Sequence, residues 1–176
     1  MSWTNESRRA AQRYQLQRQA RVVYAAPMDP DIHPEAAVAP GYLANHAMRV
    51  FNRAVDARLR AHGLTLALIG PLLLLHWKGS MLQRDMVRAS AIRQPAMVAL
   101  LDKLEAMELI AREVLATDKR AATVRLTAAG VNAAATGGQV LRDVNAVGVA
   151  GFTGAEAVAM VGLMTRMIAN LENASE

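Results

Sequence analysis

Apolar side chains recur every three or four residues along most of the chain, a spacing that predicts a mainly helical protein. The clearest stripe follows Gln94 and Pro95 and consists of Met97, Leu100, Leu101, Leu104, Met107 and Leu109. Proline is tolerated in the first turn of a helix because the leading amides have no partner within the helix. We therefore predict a helix that begins at Gln94 and packs its apolar face on a core.

After Leu109 the spacing of the apolar side chains changes from three or four residues to two. Side chains alternate from Ile110 to Val114 and again from Thr123 to Leu126, with the charged segment Thr117 to Arg120 between the two runs. Alternation predicts strands, so we expect a hairpin whose flexible tip is basic. A helix followed at once by such a hairpin is typical of a winged helix-turn-helix, in which the helix enters the major groove of DNA and the wing reaches phosphate or the minor groove.

Helical spacing also precedes this unit. One helix is predicted from Gly41 to His62, with Gly63 as its stop. Thr65 is expected to cap the next helix, which is apolar nearly all round and therefore central to the core. Pro71 falls inside that helix and should kink it or mark a late start.

The first half of the helix-turn-helix is predicted to be short. Met81 is expected to add a small strand beside the wing, and a helix is expected from Gln83 to Ala89. The segment from Ala89 to Ile92 then forms the turn before the longer helix.

Two helices are predicted after the hairpin. The first begins at Thr127 and runs to Val147, weakened by its glycines unless close packing compensates. The second begins at a capping box of Thr153 and Glu156 and extends from Gly154 to Leu171. Its apolar stripe is broad for a terminal helix, so we expect another element to cover it.

The amino-terminal part differs from the rest of the chain. Residues 2–26 are predicted to form an arginine-rich helical arm, and Pro27 to Pro40 to form a linker, because each proline costs about 3 kcal/mol in a helix interior. The arm is either solvated or packed across a dimer, or it adds contacts to phosphate.

Composition and charge agree with a DNA-binding protein of the cytoplasm. The 176 residues include no cysteine, which excludes disulfides and thiolate metal sites. The longest apolar run, Leu64 to Leu75, is shorter than the roughly 20 residues of a membrane span, so no membrane association is expected. Residues 1–26 hold five arginines against one glutamate, a net +4, and residues 78–125 hold nine basic against six acidic side chains, a net +3.

Sequence signals for catalysis are lacking. The chain has no glycine-rich phosphate loop, no nucleophile elbow and no histidine pair at metal-ligand spacing. We therefore expect no enzyme activity, no cofactor and no metal, although an enzyme without a familiar motif remains an alternative.

Four short segments carry a resemblance to a known family. They are Gln94 to Val98, Leu101 to Glu105, Asp118 to Arg120 and Leu126 to Gly130. In this order they resemble the MarR family of bacterial transcriptional regulators, and its SlyA-like branch in particular, over roughly residues 40–171.

The resemblance implies a mainly α fold that consists of a winged helix-turn-helix with a small β-hairpin wing and a helical dimerisation region. Residues 1–39 would be an additional arm and linker, 40–63 a dimerisation helix, 64–126 the DNA-binding lobe and 127–176 the carboxyl-terminal dimerisation helices. A dimer also follows from DNA recognition itself, because one recognition helix reads only a few base pairs and two symmetric copies can read a pseudo-palindrome.

Side-chain chemistry suggests which residues touch DNA. Gln94 can bind adenine through its amide, Pro95 and Ala96 can touch a thymine methyl, and Arg93 can bind guanine or phosphate. In the family pattern an arginine commonly stands where this chain has Ala99. The candidate DNA contacts are Arg84, Arg88, Arg93, Gln94, Pro95, Ala96, Val98, Asp118, Lys119, Arg120 and Arg125.

The wing has its own expected division of roles. Arg120 is expected in the minor groove, oriented by Asp118. The family wing usually reads Asp-Arg-Arg, and Lys119 keeps the charge of the middle position but loses the planar fork. Lys119 and Arg125 are expected to contact the DNA backbone.

The resemblance also implies a small phenolic or carboxylate effector bound between the dimerisation region and the DNA-binding lobe. Candidate ligand residues are His46, Arg49, Arg53 and Trp77. The predicted function is a homodimeric, ligand-responsive repressor. The alternative is a winged-helix dimer without effector sensing, which acts constitutively or as a protein-interaction module.

Overall fold

The computed structural model describes residues 39–115 and 118–174, with the side chains at 114–121 left out. The predicted arm at residues 2–26 and nearly all of the proline-rich linker lie outside the described residues. The described residues divide into two units, one up to Asn52 and one from Arg53, and the division falls within one helix.

Six α-helices and three strands make up the described chain. In chain order they are α1 (Pro40–Leu59), α2 (Leu66–Lys78), β1 (Met81–Leu82), α3 (Gln83–Arg88), α4 (Gln94–Ala106), β2 (Ile110–Leu115), β3 (Asp118–Leu126), α5 (Ala128–Gly148) and α6 (Gly154–Asn173). A 3-10 turn, Arg60–His62, follows α1, and Gly63 ends it in the left-handed conformation at φ 67°. These elements agree with the mainly helical winged helix-turn-helix that the sequence predicted.

The core of the second unit is built around α2. Five leucine and isoleucine side chains of this helix are buried, namely Leu68, Ile69, Leu72, Leu73 and Leu75. The two helices of the helix-turn-helix contribute Met86 from α3 and Met97, Leu101 and Leu104 from α4, all with no exposed surface. The apolar stripe predicted after Pro95 therefore packs against the core.

The start of α2 differs from the prediction in detail. Thr65 is the N-cap residue, but its side chain makes no capping hydrogen bond. Instead the backbone N–H of Leu66 donates to Oδ1 of Asp56 at 2.7 Å, so a carboxylate ten residues earlier satisfies one of the open amides. The helix does not begin late, because it extends from Leu66 through the buried Pro71 to Lys78.

The strands form one antiparallel sheet in the order β1-β3-β2. Met81 pairs with Val124, which confirms the short strand predicted beside the wing. In the hairpin Ile110 lies opposite Leu126 and Val114 opposite Ala122, and the register shifts before the tip. The tip is shorter than predicted, since β3 already begins at Asp118.

Close packing at glycines fixes α5 against the rest of the unit. A Cβ added to Gly137 would lie 2.3 Å from Cδ1 of Ile69 on α2. The predicted weakening of this helix is thus offset at Gly137 by a close approach that only glycine allows. Gly148, at the end of α5, has no such neighbour within 4 Å.

Helix α6 has different surroundings. Its capping box is formed as predicted, with Thr153 and Glu156 exchanging hydrogen bonds. It contains no buried residue, and large apolar side chains such as Val161 (66%), Leu163 (56%) and Ile168 (51%) are exposed.

Among the described residues, no single helix is long and apolar enough to cross a bilayer. Only Pro40–His62 and Leu66–Lys78 taken together would satisfy the length and composition, with a 79° bend at the break.

Candidate nucleic-acid interface

The first turn of α4 presents its side chains to solvent. The helix begins after Arg93, whose backbone is extended, and Gln94 and Pro95 occupy its first two positions. Arg93, Gln94, Pro95 and Ala96 are all exposed, whereas Met97 is buried and Val98 half-buried. One buried side chain thus anchors the turn and leaves the predicted base-reading residues accessible.

A serine that the sequence analysis did not single out shapes the turn before α4. The hydroxyl of Ser90 accepts a hydrogen bond from the backbone N–H of Ile92 at 3.3 Å and donates to the carbonyl of Val87 at 3.5 Å. Serine side chains commonly bond the backbone two residues on in such turns. Ser90 therefore helps to set the angle between α3 and α4.

The two arginines of α3 are exposed and share one carboxylate. Arg84 lies 3.9 Å and Arg88 3.6 Å from Asp85, and their side chains are 65% and 79% exposed. Exposed pairs of this kind contribute little and are readily exchanged for another anion. Both arginines are therefore exposed, Asp85 weakens the local positive charge, and their contact with phosphate stays a prediction.

A half-buried arginine joins the recognition helix to the wing. Nη1 of Arg112, on β2, donates to Asp102 of α4 at 2.7 Å, and Nε donates to Glu105 at 2.9 Å, with Nη2 also donating to Glu105. The hydrogen bond from Arg112 lowers the pKa of the Glu105 carboxyl, and the same bond raises the pKa of Arg112. This cluster holds α4 and the first wing strand in a fixed relation.

Asp102 and Glu105 entered the sequence-based prediction only as part of the segment Leu101 to Glu105, and Arg112 had no predicted role. The available signal was their spacing, since carboxylates three residues apart lie on one face of a helix and Arg112 comes early in the next strand. The fold is needed to bring that strand back alongside the helix.

The structure describes the side chains of only some of the predicted wing residues. The backbone of Asp118, Lys119 and Arg120 lies in β3, but their side chains are not described. Arg125 is exposed, and its Nε donates to Glu113 across the hairpin at 2.9 Å. Arg125 is therefore a paired surface cation that a phosphate would have to share with Glu113.

A compact joint connects the end of α4 to the start of α5. Glu108 has φ 56°, which is unusual for a residue with a side chain. Its N–H donates to the carbonyl of Glu105 at 2.8 Å, and the N–H of Leu109 donates to Leu104 at 2.9 Å, which is the Schellman arrangement. Thr127, the N-cap of α5, donates from its hydroxyl to the carbonyl of Glu108 at 2.7 Å.

The predicted ligand residues are distributed over both units. His46 is half-buried and stacks on Tyr42, with ring centroids 6.2 Å apart. Arg49 and Arg53 are exposed, and Trp77 is 72% exposed at the end of α2. Within the described part of the chain, no group of three or more His, Asp or Glu side chains is placed to hold a metal ion.

Helix α4, with its buried face and exposed first turn, is followed by the hairpin of β2 and β3, and β1 from earlier in the chain completes the sheet. This part of the chain is similar to a known family. Residues 64–122 match the model of the MarR family. Members of the MarR family are DNA-binding transcriptional regulators and not enzymes.

Solved MarR-type structures share the fold over most of the chain. BpsR of Bordetella bronchiseptica, whose DNA binding is regulated by 6-hydroxynicotinic acid, is 26% identical and superposes with a TM-score of 0.66 over 72% of this chain and 96% of its own. MepR of S. aureus in complex with DNA is 22% identical, with a TM-score of 0.69 over 75% of this chain and 98% of that one. A MarR-family regulator from Silicibacter pomeroyi is 26% identical, with a TM-score of 0.62 over 77% and 91%.

No curated protein sequence matches this chain significantly. The resemblance to the MarR family is thus confirmed by the match at residues 64–122 and by the fold. The assignment to the SlyA-like branch, the domain boundaries, the cytoplasmic location and the individual site residues stay predictions.

Proposed function

We propose that the chain is a homodimeric transcriptional regulator that binds a pseudo-palindromic operator and responds to a small effector. The observation that carries this proposal is the exposed turn Arg93 to Ala96, which stands on a helix whose other face is buried in the core. A rigid helix with an accessible polar first turn fits the major groove, and the adjacent wing lies where it can reach the backbone or the minor groove.

Specific contacts follow from the chemistry of that turn. Gln94 offers a donor and an acceptor to the adenine edge, and Arg93 offers a fork to guanine or phosphate. Arg84 and Arg88, exposed on α3, provide contacts that position the lobe without reading bases. Ala99 is exposed on α4 and has no polar group, so base reading is concentrated at the first turn.

Dimerisation is supported by the exposed apolar face of α6. This helix buries nothing within the described chain, although Val161, Met164 and Ile168 lie along one side of it. Contiguous exposed apolar side chains on one helix face often mark an interface. A second copy of the chain is the occupant that a symmetric operator requires, and dimers are typical of the MarR family.

Selection of fragments from the source genome by the purified protein, at a fixed salt concentration, tests DNA recognition directly. We expect the bound fragments to share two inverted half-sites about one helical turn, or 34–36 Å, apart. Equal binding of selected and random duplexes of the same length would overturn the proposal.

The role of the wing can be tested separately by Arg120→Ala. Removing a cation that lies in the minor groove between the phosphates should reduce the slope of log affinity against log salt, by about 0.9 for each neutralised phosphate. Arg142→Ala, which removes an exposed arginine from α5, is the matched control and should leave the slope unchanged. An unchanged slope for Arg120→Ala would show that the wing arginine does not contact DNA.

Effector binding can be tested with two aromatic carboxylic acids. Regulation of BpsR by 6-hydroxynicotinic acid motivates the use of that compound, together with benzoic acid, as a probe of an aromatic carboxylate site. A bound probe at 100 times its dissociation constant should stabilise the protein by about 2.7 kcal/mol and raise its melting temperature. If neither probe changes the melting temperature or the affinity for selected DNA, the constitutive alternative gains support.

Repression is proposed as the sign of regulation, because a dimer bound across a promoter blocks polymerase. A reporter gene placed behind a selected fragment should be expressed more strongly when the chain is absent. Lower expression in its absence would identify an activator.

A further inference from the structure

The hydroxyl of Thr127 links the start of α5 to the residues that follow the recognition helix α4. Oγ1 of Thr127 donates to the carbonyl of Glu108 at 2.7 Å and accepts from the N–H of Gly130 at 3.0 Å. The backbone N–H of Thr127 also donates to the carbonyl of Leu109 at 3.1 Å. Thr127 therefore caps the start of α5 and satisfies two carbonyls just beyond the end of α4 at the same time.

Both sides of this joint, the first turn of α5 and the residues that follow α4, are held by close contacts. A Cβ on Gly130 would lie 1.8 Å from the carbonyl oxygen of Leu109, so the first turn of α5 is in direct backbone contact with the end of α4. On the other side, Glu108 and Leu109 are held by the Schellman hydrogen bonds to Glu105 and Leu104.

The contact continues along α5. Its residues Ala134, Gly137, Val140 and Val144 are buried in the same unit as α4, so most of the helix moves with the lobe. The end of α5 leads through a short turn, with Gly151 at φ 84°, to the exposed helix α6.

We infer that Thr127 is a positioning residue for DNA recognition: its hydroxyl fixes the orientation of α4 to that of α5. The dimer sets the direction of α5, and α4 follows because the carbonyls of Glu108 and Leu109, just beyond its end, are bonded to Thr127 at the start of α5. This inference rests on the proposed function and adds the residue through which the dimer controls the reading helix.

The chain offers a matched control for this role. Thr153 caps α6 in the same way, with its hydroxyl accepting from the N–H of Glu156 at 3.3 Å, but its hydroxyl donates to Glu156 of the same helix rather than to a segment beside α4. Thr127→Val and Thr153→Val should therefore lower the melting temperature by similar amounts, about 2–4 °C. Thr127→Ala is a second variant without the hydroxyl, and Thr127→Ser retains it.

The first measurement compares the binding of a selected genomic fragment with that of a random duplex of equal length. Loss of the Thr127 hydrogen bond should reduce the preference for the selected fragment about three- to tenfold. Thr153→Val and Thr127→Ser should keep the preference of the unmodified chain. Equal preference in Thr127→Val and Thr153→Val, or no rescue by Thr127→Ser, would overturn the inference.

The second measurement needs no DNA. Amide hydrogen exchange at Glu108 and Leu109 should become about tenfold faster in Thr127→Val and Thr127→Ala, and stay unchanged in Thr153→Val. If the unmodified chain fails to prefer the selected fragment, the proposed function fails, and the exchange rates still decide whether Thr127 holds the end of α4. Unchanged exchange at both amides would show that it does not.

Discussion

Helices α5 and α6 begin in the same way and have opposite surroundings. Both start at a threonine whose hydroxyl accepts from the N–H three residues on, and they are 21 and 20 residues long. Yet α5 buries five residues, whereas α6 buries none. The buried residues of α5 are Gly130, Ala134, Gly137, Val140 and Val144.

The size of the side chains explains the difference. Glycine at 130 and 137 allows α5 to approach Leu109 and Ile69 so closely that a Cβ at either position would overlap a neighbour. In α6 the corresponding position after the cap is Glu156, which turns back to close the capping box in solvent. Two similar starts thus lead to one helix built for contact within the chain and one that leaves its large side chains exposed.

The exposed face of α6 is therefore the surface whose burial by a partner would release the most free energy. About 25 cal/mol is gained per Å² of apolar surface removed from water, and several large side chains on α6 contribute. In the proposed homodimer the same face of a second copy, or a neighbouring helix of it, covers this surface. The comparison predicts that substitutions in α5 act on folding and substitutions in α6 act on assembly.

The largest effect is expected for Met164→Asp on α6. A carboxylate buried without a partner in an apolar interface is strongly unfavourable, so the dissociation constant of the dimer should rise at least about 100-fold, or about 2.7 kcal/mol. The measurement is the molar mass by light scattering over a dilution series. We expect a dimer for the unmodified chain and a monomer for Met164→Asp.

Ala169→Asp is the control for this change. It adds the same charge to the same helix, about 140° around the axis from Met164. It should leave the dimer intact if the interface is the apolar side of α6. Dissociation by both variants would mean that the whole circumference of α6 is covered, and dissociation by neither would place the interface elsewhere.

A smaller effect, on folding, is expected for Gly130→Ala in α5. The new methyl would overlap the carbonyl oxygen of Leu109, and because this neighbour is backbone, relief requires a shift of the joint. Overpacking of this kind costs about 3 kcal/mol. Urea unfolding at constant protein concentration measures the loss.

Gly162→Ala in α6 is the matched variant. Nothing in the described part of the chain lies within 4 Å of a Cβ at this position, so alanine should stabilise by about 0.5–1 kcal/mol through its greater helix propensity. Opposite signs for the two glycines would support the contrast between the helices. Equal destabilisation would show that the dimer packs as closely on Gly162 as Leu109 packs on Gly130.

Sequence periodicity was sufficient for most of the fold. The stripes predicted α1, α4, α5 and α6 to within a few residues, and the change of spacing after Leu109 predicted the hairpin. These features could be predicted because they depend on neighbours along the chain. The exposed first turn of α4 was predicted for the same reason, since Pro95 marks where the helix begins.

Interactions between distant segments could not be predicted in this way. Asp56 satisfies the N–H of Leu66, and Arg112 bonds two carboxylates of α4, only because the fold brings these residues together. The wing tip, predicted from Thr117 to Arg120, was placed too late in the sequence and made too long, since β3 already begins at Asp118, which pairs with Leu115. The joint at Thr127 was likewise missed, because a cap that also serves another helix has the same sequence pattern as an ordinary cap.

A further variant, Glu108→Gly, tests the end of α4, to which the start of α5 is hydrogen-bonded. Glu108 occupies the left-handed position at the end of α4, where a side chain costs about 1–2 kcal/mol and glycine avoids most of that cost. The greater freedom of glycine in the unfolded chain offsets part of the gain, so we expect a net stabilisation of about 0.5–1 kcal/mol. Thermal unfolding should show a rise in melting temperature, and a fall would mean that the Glu108 side chain contributes to the joint.

The smallest effect concerns the acidic residue that α6, unlike α5, has in its first turn. Hydrogen bonds from the backbone N–H and then the hydroxyl of Thr153 hold the pKa of the Glu156 carboxyl below its ordinary value of 4.5. The folded chain then binds fewer protons here than the unfolded chain, so this contribution is present at neutral pH and is lost as pH falls through 4.5 and on through the lowered pKa. In Glu156→Gln the side chain cannot titrate, and the stability advantage of the unmodified chain over this variant should shrink between pH 6 and pH 3. We expect this from urea unfolding at a series of pH values. A difference that stays constant over this range would show that the capping box of α6 is not sensitive to acid, and the start of α6 would then behave like that of α5, which has no acidic residue in its first turn.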